Sequence, residues 1–165
     1  MHRELRSRRS ALALPDANAE RVSVYHYQVE LIKVVDGDTA DVDIDLGFDV
    51  WLRSQRVRLH GIDAPESRTR DKEEKRFGNR AKQHLIRLMD TEHGPLVDSQ
   101  KNKEIYLQSF GRGKFGRILG LLYVGDDAES VNAKMIKAHH AVAYEGQSKD
   151  EIREAHLANR EKLKA

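Results

Sequence analysis

Three acidic residues lie where the sequence predicts turns and strand ends, so that their side chains could act together. Asp38 follows residues 36–37, an Asp-Gly pair typical of a hairpin turn between two apolar runs. Asp63 and Glu66 follow residues 57–59, whose apolar and charged side chains alternate as in a strand. Because loops at strand ends commonly carry binding and catalytic groups, we expect these three acids to form one cluster.

The residue types in this cluster suit the cleavage of a phosphodiester bond. Carboxylate and backbone carbonyl oxygens are the ligands of hard cations such as calcium or magnesium, whereas softer metals favour Cys or several His. Arg58, on the strand leading into the cluster, could hold phosphate oxygens with paired hydrogen bonds. A purely structural explanation fits the same residues, with aspartates that shape a hairpin, an Arg58 on a solvated face and a Glu66 that caps the next segment.

Three motifs, in this order along the chain, resemble the staphylococcal nuclease (thermonuclease) family. They lie at residues 36–39, 58–66 and 114–117 and read DGDT, RLHGIDAPE and KFGR. The resemblance extends over about residues 27–164 and leaves only the N-terminal extension unexplained. The resemblance is more specific than a match to any one motif would be, because the order and spacing of all three motifs agree with those of the family.

The resemblance implies a catalytic Ca2+ ion bound by Asp38, Asp63 and the backbone carbonyl of Ala64. It also implies that Glu66 orients or deprotonates the attacking water. The family often has Thr where this chain has Ala64, but only the carbonyl is needed there.

The resemblance further implies that Arg58 and Arg117 hold the scissile phosphate and that Tyr144 contacts substrate. Lys114 and Phe115 are further candidates for substrate binding, Lys114 by steering phosphate. Phe115 stands where the family often has Tyr, so one hydroxyl contact to a substrate phosphate is lost. Phe115 can still stack on a base, a contact worth about 1 to 3 kcal/mol, or it can be a core aromatic at a turn. Tyr144 is expected to line the nucleotide pocket, or otherwise to anchor the turn before the last helix.

The expected function is that of a Ca2+-dependent nuclease that cuts DNA and RNA with little sequence preference and leaves a 3'-phosphate and a 5'-hydroxyl. The alternative is an OB-like module that binds nucleic acid or protein and has lost catalysis. Such a module should have lost some of the five site residues, and none is lost here: Asp38, Arg58, Asp63, Glu66 and Arg117. A nuclease held in check by a partner protein is a third possibility.

Composition sets the broad class of the protein. The 165 residues are 34% charged and 39% hydrophobic, without cysteine, which indicates a soluble globular protein with neither a disulfide nor a thiolate metal site. No apolar run approaches the length of a membrane span, and residues 11–14 are too short for the core of an export signal. We therefore expect a cytoplasmic protein without membrane contact, with a secreted mature form left open. We also expect a monomer, although no pattern in the sequence indicates the oligomeric state.

Charge is distributed unevenly although the net charge is only +2. Residues 36–49 contain six aspartates and neither Lys nor Arg, whereas residues 68–87 contain eight Lys or Arg against three acids. Acidic residues beside basic segments suit a cation site that must also admit a polyanion such as DNA or RNA. Ordinary solvated faces would give the same pattern.

Periodicity predicts an α+β fold, mainly β in its core, with five strands and about three helices. A basic, flexible arm at residues 1–21 precedes the domain at residues 22–165. The strands are predicted at residues 25–35, 41–46, 50–59, 105–110 and 117–123, and the helices at 77–89, 131–138 and 149–164. Periodicity leaves an open sheet or a barrel possible; the resemblance implies a five-stranded OB-like barrel, a fold that commonly binds oligonucleotides.

Three details of this pattern can be compared with the structure. Leu46 is expected to face the core together with the other apolar residues of its strand. In the third strand the apolar residues stand at even-numbered positions in the first half and at odd-numbered positions in the second. A bulge or bend between Arg53 and Gln55 would bring both sets to the same face. Residues 67–76 are expected to form a charged loop, and His156 and Leu157 are expected on the apolar side of the last helix.

Overall fold

The computed structural model describes residues 25–89 and 104–164. Its strands are β1 (His26–Asp36), β2 (Thr39–Asp45), β3 (Trp51–Leu59), β4 (Ile62–Asp63), β5 (Ile105–Arg112), β6 (Ile118–Val124) and β7 (Val142–Ala143). Its helices are α1 (Lys72–Met89), α2 (Val131–Lys137) and α3 (Lys149–Lys164). The predicted arm at residues 1–21 lies outside the described residues.

Five strands form a closed barrel in the order β1-β2-β3-β6-β5. Neighbouring strands are antiparallel except β3 and β6, which are parallel and place Val57 opposite Ile118. The barrel closes where β1 pairs with β5, with Tyr27 opposite Leu107. The prediction of an α+β fold with a five-stranded OB-like barrel and three helices is confirmed, and the alternative of an open sheet is wrong.

The barrel interior follows the period-two pattern of the strands. Val42, Ile44, Val57 and Leu59 are each at most 2% exposed, so alternate side chains of β2 and β3 fill the core. Leu46 is 42% exposed, and its predicted place in the core is wrong. β2 ends one residue earlier, and the Leu46 amide already belongs to the turn that leads to β3.

The predicted bulge in β3 is present. Arg53 and Ser54 together lie opposite Asp43, and Ser54 has a φ of 53°. The Asp43 carboxylate accepts hydrogen bonds of 2.7 Å from the Ser54 amide and of 2.7 Å from the Arg53 guanidinium. The extra residue reverses the parity of β3, so that Val57 and Leu59 point into the barrel.

Helix α1 begins at Lys72, so the predicted start at residue 77 is wrong and the connecting loop is shorter than expected. Asp71 caps the helix, because its carboxylate accepts hydrogen bonds from the amides of Glu73 (2.9 Å) and Glu74 (3.0 Å). The first turn is entirely charged and carries no apolar signal. Phe77, which marked the predicted start, is instead the first buried side chain of α1.

We expect Asp71→Ala to lower the Tm by about 2 to 4 °C, because two amides at the start of α1 lose their acceptor. Differential scanning calorimetry measures the change. Asp71→Asn, which keeps a capping oxygen, serves as the control and should stay close to the wild type. An unchanged Tm in Asp71→Ala would show that the cap does not contribute to stability.

Helix α3 is held differently from the other two helices, because it has no buried residue. Its contacts include polar ones: the Asn159 amide donates to the Ala141 carbonyl (3.1 Å), and Arg160 lies 3.7 Å from Glu73. Leu157 is 45% exposed, so its predicted place on an apolar, buried side is wrong. No helix of the described residues is both long and apolar enough to cross a bilayer.

Candidate active site

An open groove of about 1080 Å³ lies beside β3 and the turn that precedes β6. It is lined by most of the residues that the sequence assigns to the site: Arg58, Asp63, Lys114, Phe115, Arg117 and Tyr144. Asp38, Ala64 and Glu66 are not among its lining residues. The two arginines and the three substrate-binding candidates, far apart in sequence, thus share one surface.

The parallel pairing of β3 with β6 explains why the two arginines share this surface. Val57 and Ile118 lie opposite each other and are both buried in the barrel. Because side chains alternate along a strand, Arg58, which follows Val57, and Arg117, which precedes Ile118, lie on the outer side. Both arginines therefore line the same groove.

Arg58 joins the two aspartates of the predicted cluster. Its Nη1 lies 2.8 Å from Asp38 Oδ2, and its Nη2 donates to Asp63 Oδ1 at 3.2 Å. Nη1 also donates to the Ile62 carbonyl at 3.1 Å. The β1–β2 turn and β4 thus deliver one carboxylate each to the same guanidinium.

Asp38 is 8% exposed and held from several sides. The Ala64 amide donates to its Oδ2 at 2.9 Å, and the Thr39 hydroxyl donates to its Oδ1 at 2.8 Å. Burial raises the pKa of Asp38 above its ordinary value, although Arg58 and these two hydrogen bonds act in the opposite direction. A bound divalent cation would favour the charged form of this carboxylate.

Glu66 lies in an exposed position with a surplus of negative charge around it. Partial desolvation raises the pKa of its carboxyl, and the charges of Asp36, Asp38 and Asp63 raise it further. The loop that carries Glu66 is anchored by the Ser67 hydroxyl, which donates to Asp36. The sequence assigns Asp36 only to the hairpin turn, whereas the structure also pairs it with the residue that follows the candidate base.

Phe115 is 73% exposed, so the alternative of a core aromatic is wrong. Two cations lie over its ring, with Lys114 Nζ at 5.1 Å and Arg117 Cζ at 5.8 Å from the ring centroid. The turn is closed by the Gly113 amide, which donates to the Arg117 carbonyl at 2.9 Å. Cation–π contacts with Phe115 therefore help to orient the positive charges on this side of the groove.

A family model described as "Staphylococcal nuclease homologue" matches residues 56–164 of the chain. The chain belongs to the staphylococcal nuclease homologue family. The matched region contains Arg58, Asp63, Glu66, Arg117 and Tyr144. The resemblance to this family is therefore confirmed, with the motifs at residues 58–66 and 114–117 inside the matched region and the motif at residues 36–39 outside it. Membership supports a nuclease or a nucleic-acid-binding module.

This staphylococcal nuclease homologue is also similar to a curated protein, "Protein ParB" of Escherichia coli. The two are 34% identical over 122 residues, which cover 70% of this chain and 56% of that protein. The chain thus spans about half the length of this relative.

Tyr144 of this nuclease homologue anchors a turn and also lines the groove, while its contact with a nucleotide stays a prediction. Its amide donates to the Gly61 carbonyl at 2.8 Å, which anchors the segment before α3. Its side chain is 44% exposed and lines the groove. The backbone therefore serves the turn, while the ring is free to contact a ligand.

The oxygen-rich chemistry of the site suits a hard divalent cation. The candidate ligands are the carboxylates of Asp38 and Asp63 and the carbonyl of Ala64. A cation beside them would offset the negative charge that raises the pKa of Glu66. Across residues 25–89 and 104–164, however, no three acidic, histidine or cysteine side chains are arranged to hold a metal ion. The assignment of Ca2+ and its ligands stays a prediction.

His156 is a neighbour of the site that sequence reasoning missed. Its Nε2 lies 2.9 Å from Asp63 Oδ2, and its side chain is only 12% exposed. The sequence placed His156 on the apolar side of α3, whereas the structure gives it a polar partner. No local pattern could reveal this contact, because the two residues are 93 positions apart.

Proposed function

We propose that this staphylococcal nuclease homologue is a Ca2+-dependent nuclease that hydrolyses phosphodiester bonds of DNA and RNA with little sequence specificity and leaves 3'-phosphate ends. The observation that carries the proposal is the position of Arg58 and Arg117 along one open groove, with Asp38 and Asp63 gathered at Arg58. Family membership supports a nuclease of this general kind.

The two arginines would bind the scissile phosphate and neutralise the charge that develops on its oxygens. Arg117 would do so from the turn beside Phe115, whose ring contact orients the guanidinium. Arg58 already contacts Asp38 and Asp63, but a guanidinium has five N–H donors and can hold carboxylates and a phosphate together.

Glu66 would orient and deprotonate the attacking water. Partial desolvation raises the pKa of its carboxyl, which makes the ionised group a stronger base. Its loop is fixed by the Ser67–Asp36 hydrogen bond, so the carboxylate is held on an anchored backbone. This role is consistent with the position of Glu66 in the sequence, shortly after the candidate metal ligands Asp63 and Ala64.

Asp38, Asp63 and the carbonyl of Ala64 would hold the cation. When bound, Ca2+ supplies positive charge that polarises the phosphate and stabilises the oxyanion character of the transition state. The Ala64 amide and the Thr39 hydroxyl keep the Asp38 carboxylate in place. Arg58, which contacts both aspartates, would couple their positions to that of the phosphate.

The pairing of Arg58 with both aspartates also favours a second candidate, a catalytically silent OB-fold module that binds nucleic acid or protein. In such a module the guanidinium would stay paired with the two carboxylates and offset part of their charge in place of a cation. Arg117 and the exposed Phe115 would still suit a nucleic acid strand. The two candidates differ in cleavage and not in binding.

The test is to incubate the purified protein with single-stranded and double-stranded DNA and with RNA, first with CaCl2 and then with an excess of EGTA. We expect cleavage of all three substrates with calcium, products that end in 3'-phosphate, and no cleavage with EGTA. The Glu66→Gln variant, purified in the same way, controls for contaminating nucleases.

Two results would contradict the proposal. Cleavage that persists in EGTA would exclude a calcium-dependent mechanism. Binding of the substrates without any cleavage, measured by fluorescence anisotropy in the same buffers, would establish the silent binding module instead.

A further inference from the structure

We infer that His156 of α3 is a positioning residue for Asp63, and that through this contact the C-terminal helix completes the cation-binding site. The inference rests on the proposed function, in which Asp63 is a cation ligand. It adds a residue from an element that carries none of the three family motifs.

Each oxygen of the Asp63 carboxylate has a partner from a different part of the fold. Oδ1 accepts from Arg58 Nη2 of β3 at 3.2 Å, and Oδ2 lies 2.9 Å from His156 Nε2 of α3. The two contacts fix the plane of the carboxylate. Asp63 is 32% exposed in its side chain and His156 only 12%, so the imidazole is the more shielded partner.

The two partners of Asp63 are not equivalent. Arg58 is shared with Asp38 and the Ile62 carbonyl, and the proposed function gives it a substrate phosphate as well. The orientation of Asp63 would therefore change with substrate if Arg58 alone set it. His156, which lies on α3, contacts the other oxygen of the Asp63 carboxylate. Its N–H can donate a hydrogen bond without adding a net charge beside a cation.

The way α3 is held makes this contact important for the helix as well. No residue of α3 is buried, and its other contacts include the Asn159–Ala141 hydrogen bond and the Arg160–Glu73 pair. The imidazole of His156 adds to these a contact between α3 and β4. Occupation of the cation site and docking of α3 should consequently support each other.

The experiment measures Ca2+ affinity by isothermal titration calorimetry for the wild type, His156→Leu, His156→Phe and His156→Gln. We expect the Kd for Ca2+ to rise about 10-fold to 100-fold in the first two variants, the usual effect of removing a hydrogen bond to a metal ligand. His156→Gln should recover most of the affinity, because its amide can donate to Asp63. Phe keeps a ring of similar size, which guards against a Leu variant that fails to fold.

Asn159→Ala is the matched control for a general loosening of α3. It removes the hydrogen bond to Ala141 and leaves the His156–Asp63 contact in place. We expect a lower Tm in circular dichroism but an unchanged Kd for Ca2+. If Asn159→Ala weakens calcium binding as much as His156→Phe, His156 acts only through the packing of the helix, and the inference is overturned.

The remaining outcomes separate the inference from the proposed function. A wild type that binds Ca2+ and cleaves DNA, together with folded His156 variants of unchanged Kd, overturns the inference alone. A wild type that binds no Ca2+ overturns both. A rise in Kd that His156→Gln reverses supports the inference.

Discussion

Arg117→Ala is expected to lower kcat for DNA cleavage about 100-fold to 1,000-fold, the loss typical of removing one preorganised electrostatic stabiliser. Arg117 lines the groove, and its guanidinium lies over the Phe115 ring. Among the described residues it makes no ion pair with a carboxylate, whereas Arg58 is paired with Asp38 and Asp63. Single-turnover cleavage of a labelled oligonucleotide at saturating Ca2+ measures the effect on the chemical step.

Two further variants decide how Arg117 acts. Arg117→Lys keeps the charge but loses the paired N–H donors, and we expect a kcat between those of the wild type and Arg117→Ala. Arg87→Ala removes the same charge from an exposed position in the last turn of α1 and should change kcat less than twofold. A kcat of Arg117→Ala within threefold of the wild type would exclude Arg117 from the reaction.

The second large effect is expected from Gly78→Ala in α1. A Cβ atom at this position would lie 2.4 Å from the Glu66 carbonyl oxygen and 2.6 Å from the Ser67 nitrogen. Both are backbone atoms, so the clash cannot be relieved by a side-chain rotation. We expect a free energy of unfolding lower by about 1 to 3 kcal/mol, from urea denaturation, and a lower kcat because Glu66 is displaced.

The sign of this effect distinguishes the clash from helix propensity. In an unconstrained helix, Gly to Ala would stabilise by about 1 kcal/mol. Asn79→Ala, at the exposed neighbouring position, measures the effect of helix propensity without a clash. It should leave the free energy of unfolding unchanged or slightly higher. Should Gly78→Ala prove more stable than the wild type with full activity, the close approach of α1 to the Glu66 loop would have no functional importance.

The local patterns of the sequence were sufficient for most of the barrel. Alternation located the strands, and the opposite parity within β3 revealed the bulge at Arg53 and Ser54. The errors arose where another signal outweighed apolar spacing. The start of α1 depends on the Asp71 cap, and Leu46 is exposed because turn hydrogen bonds end β2 before it.

The candidate site was predictable as a set of residues but not as an arrangement. Motif spacing identified Arg58, Asp38 and Asp63, yet it could not show that one guanidinium joins the two carboxylates. The roles of Asp36 and His156 depend on contacts between elements far apart in the chain. Such contacts follow from tertiary packing, which no short stretch of sequence encodes.

Closure of the barrel between β1 and β5 has a consequence for how this chain acquires its structure. During synthesis, β1 can pair with β2 early, but its other edge has no partner until β5 has left the ribosome. Pairing between such distant segments is slow, and an open strand edge invites association with other chains. We therefore expect nascent chains that end before Ile105 to depend on chaperones far more than the finished protein does.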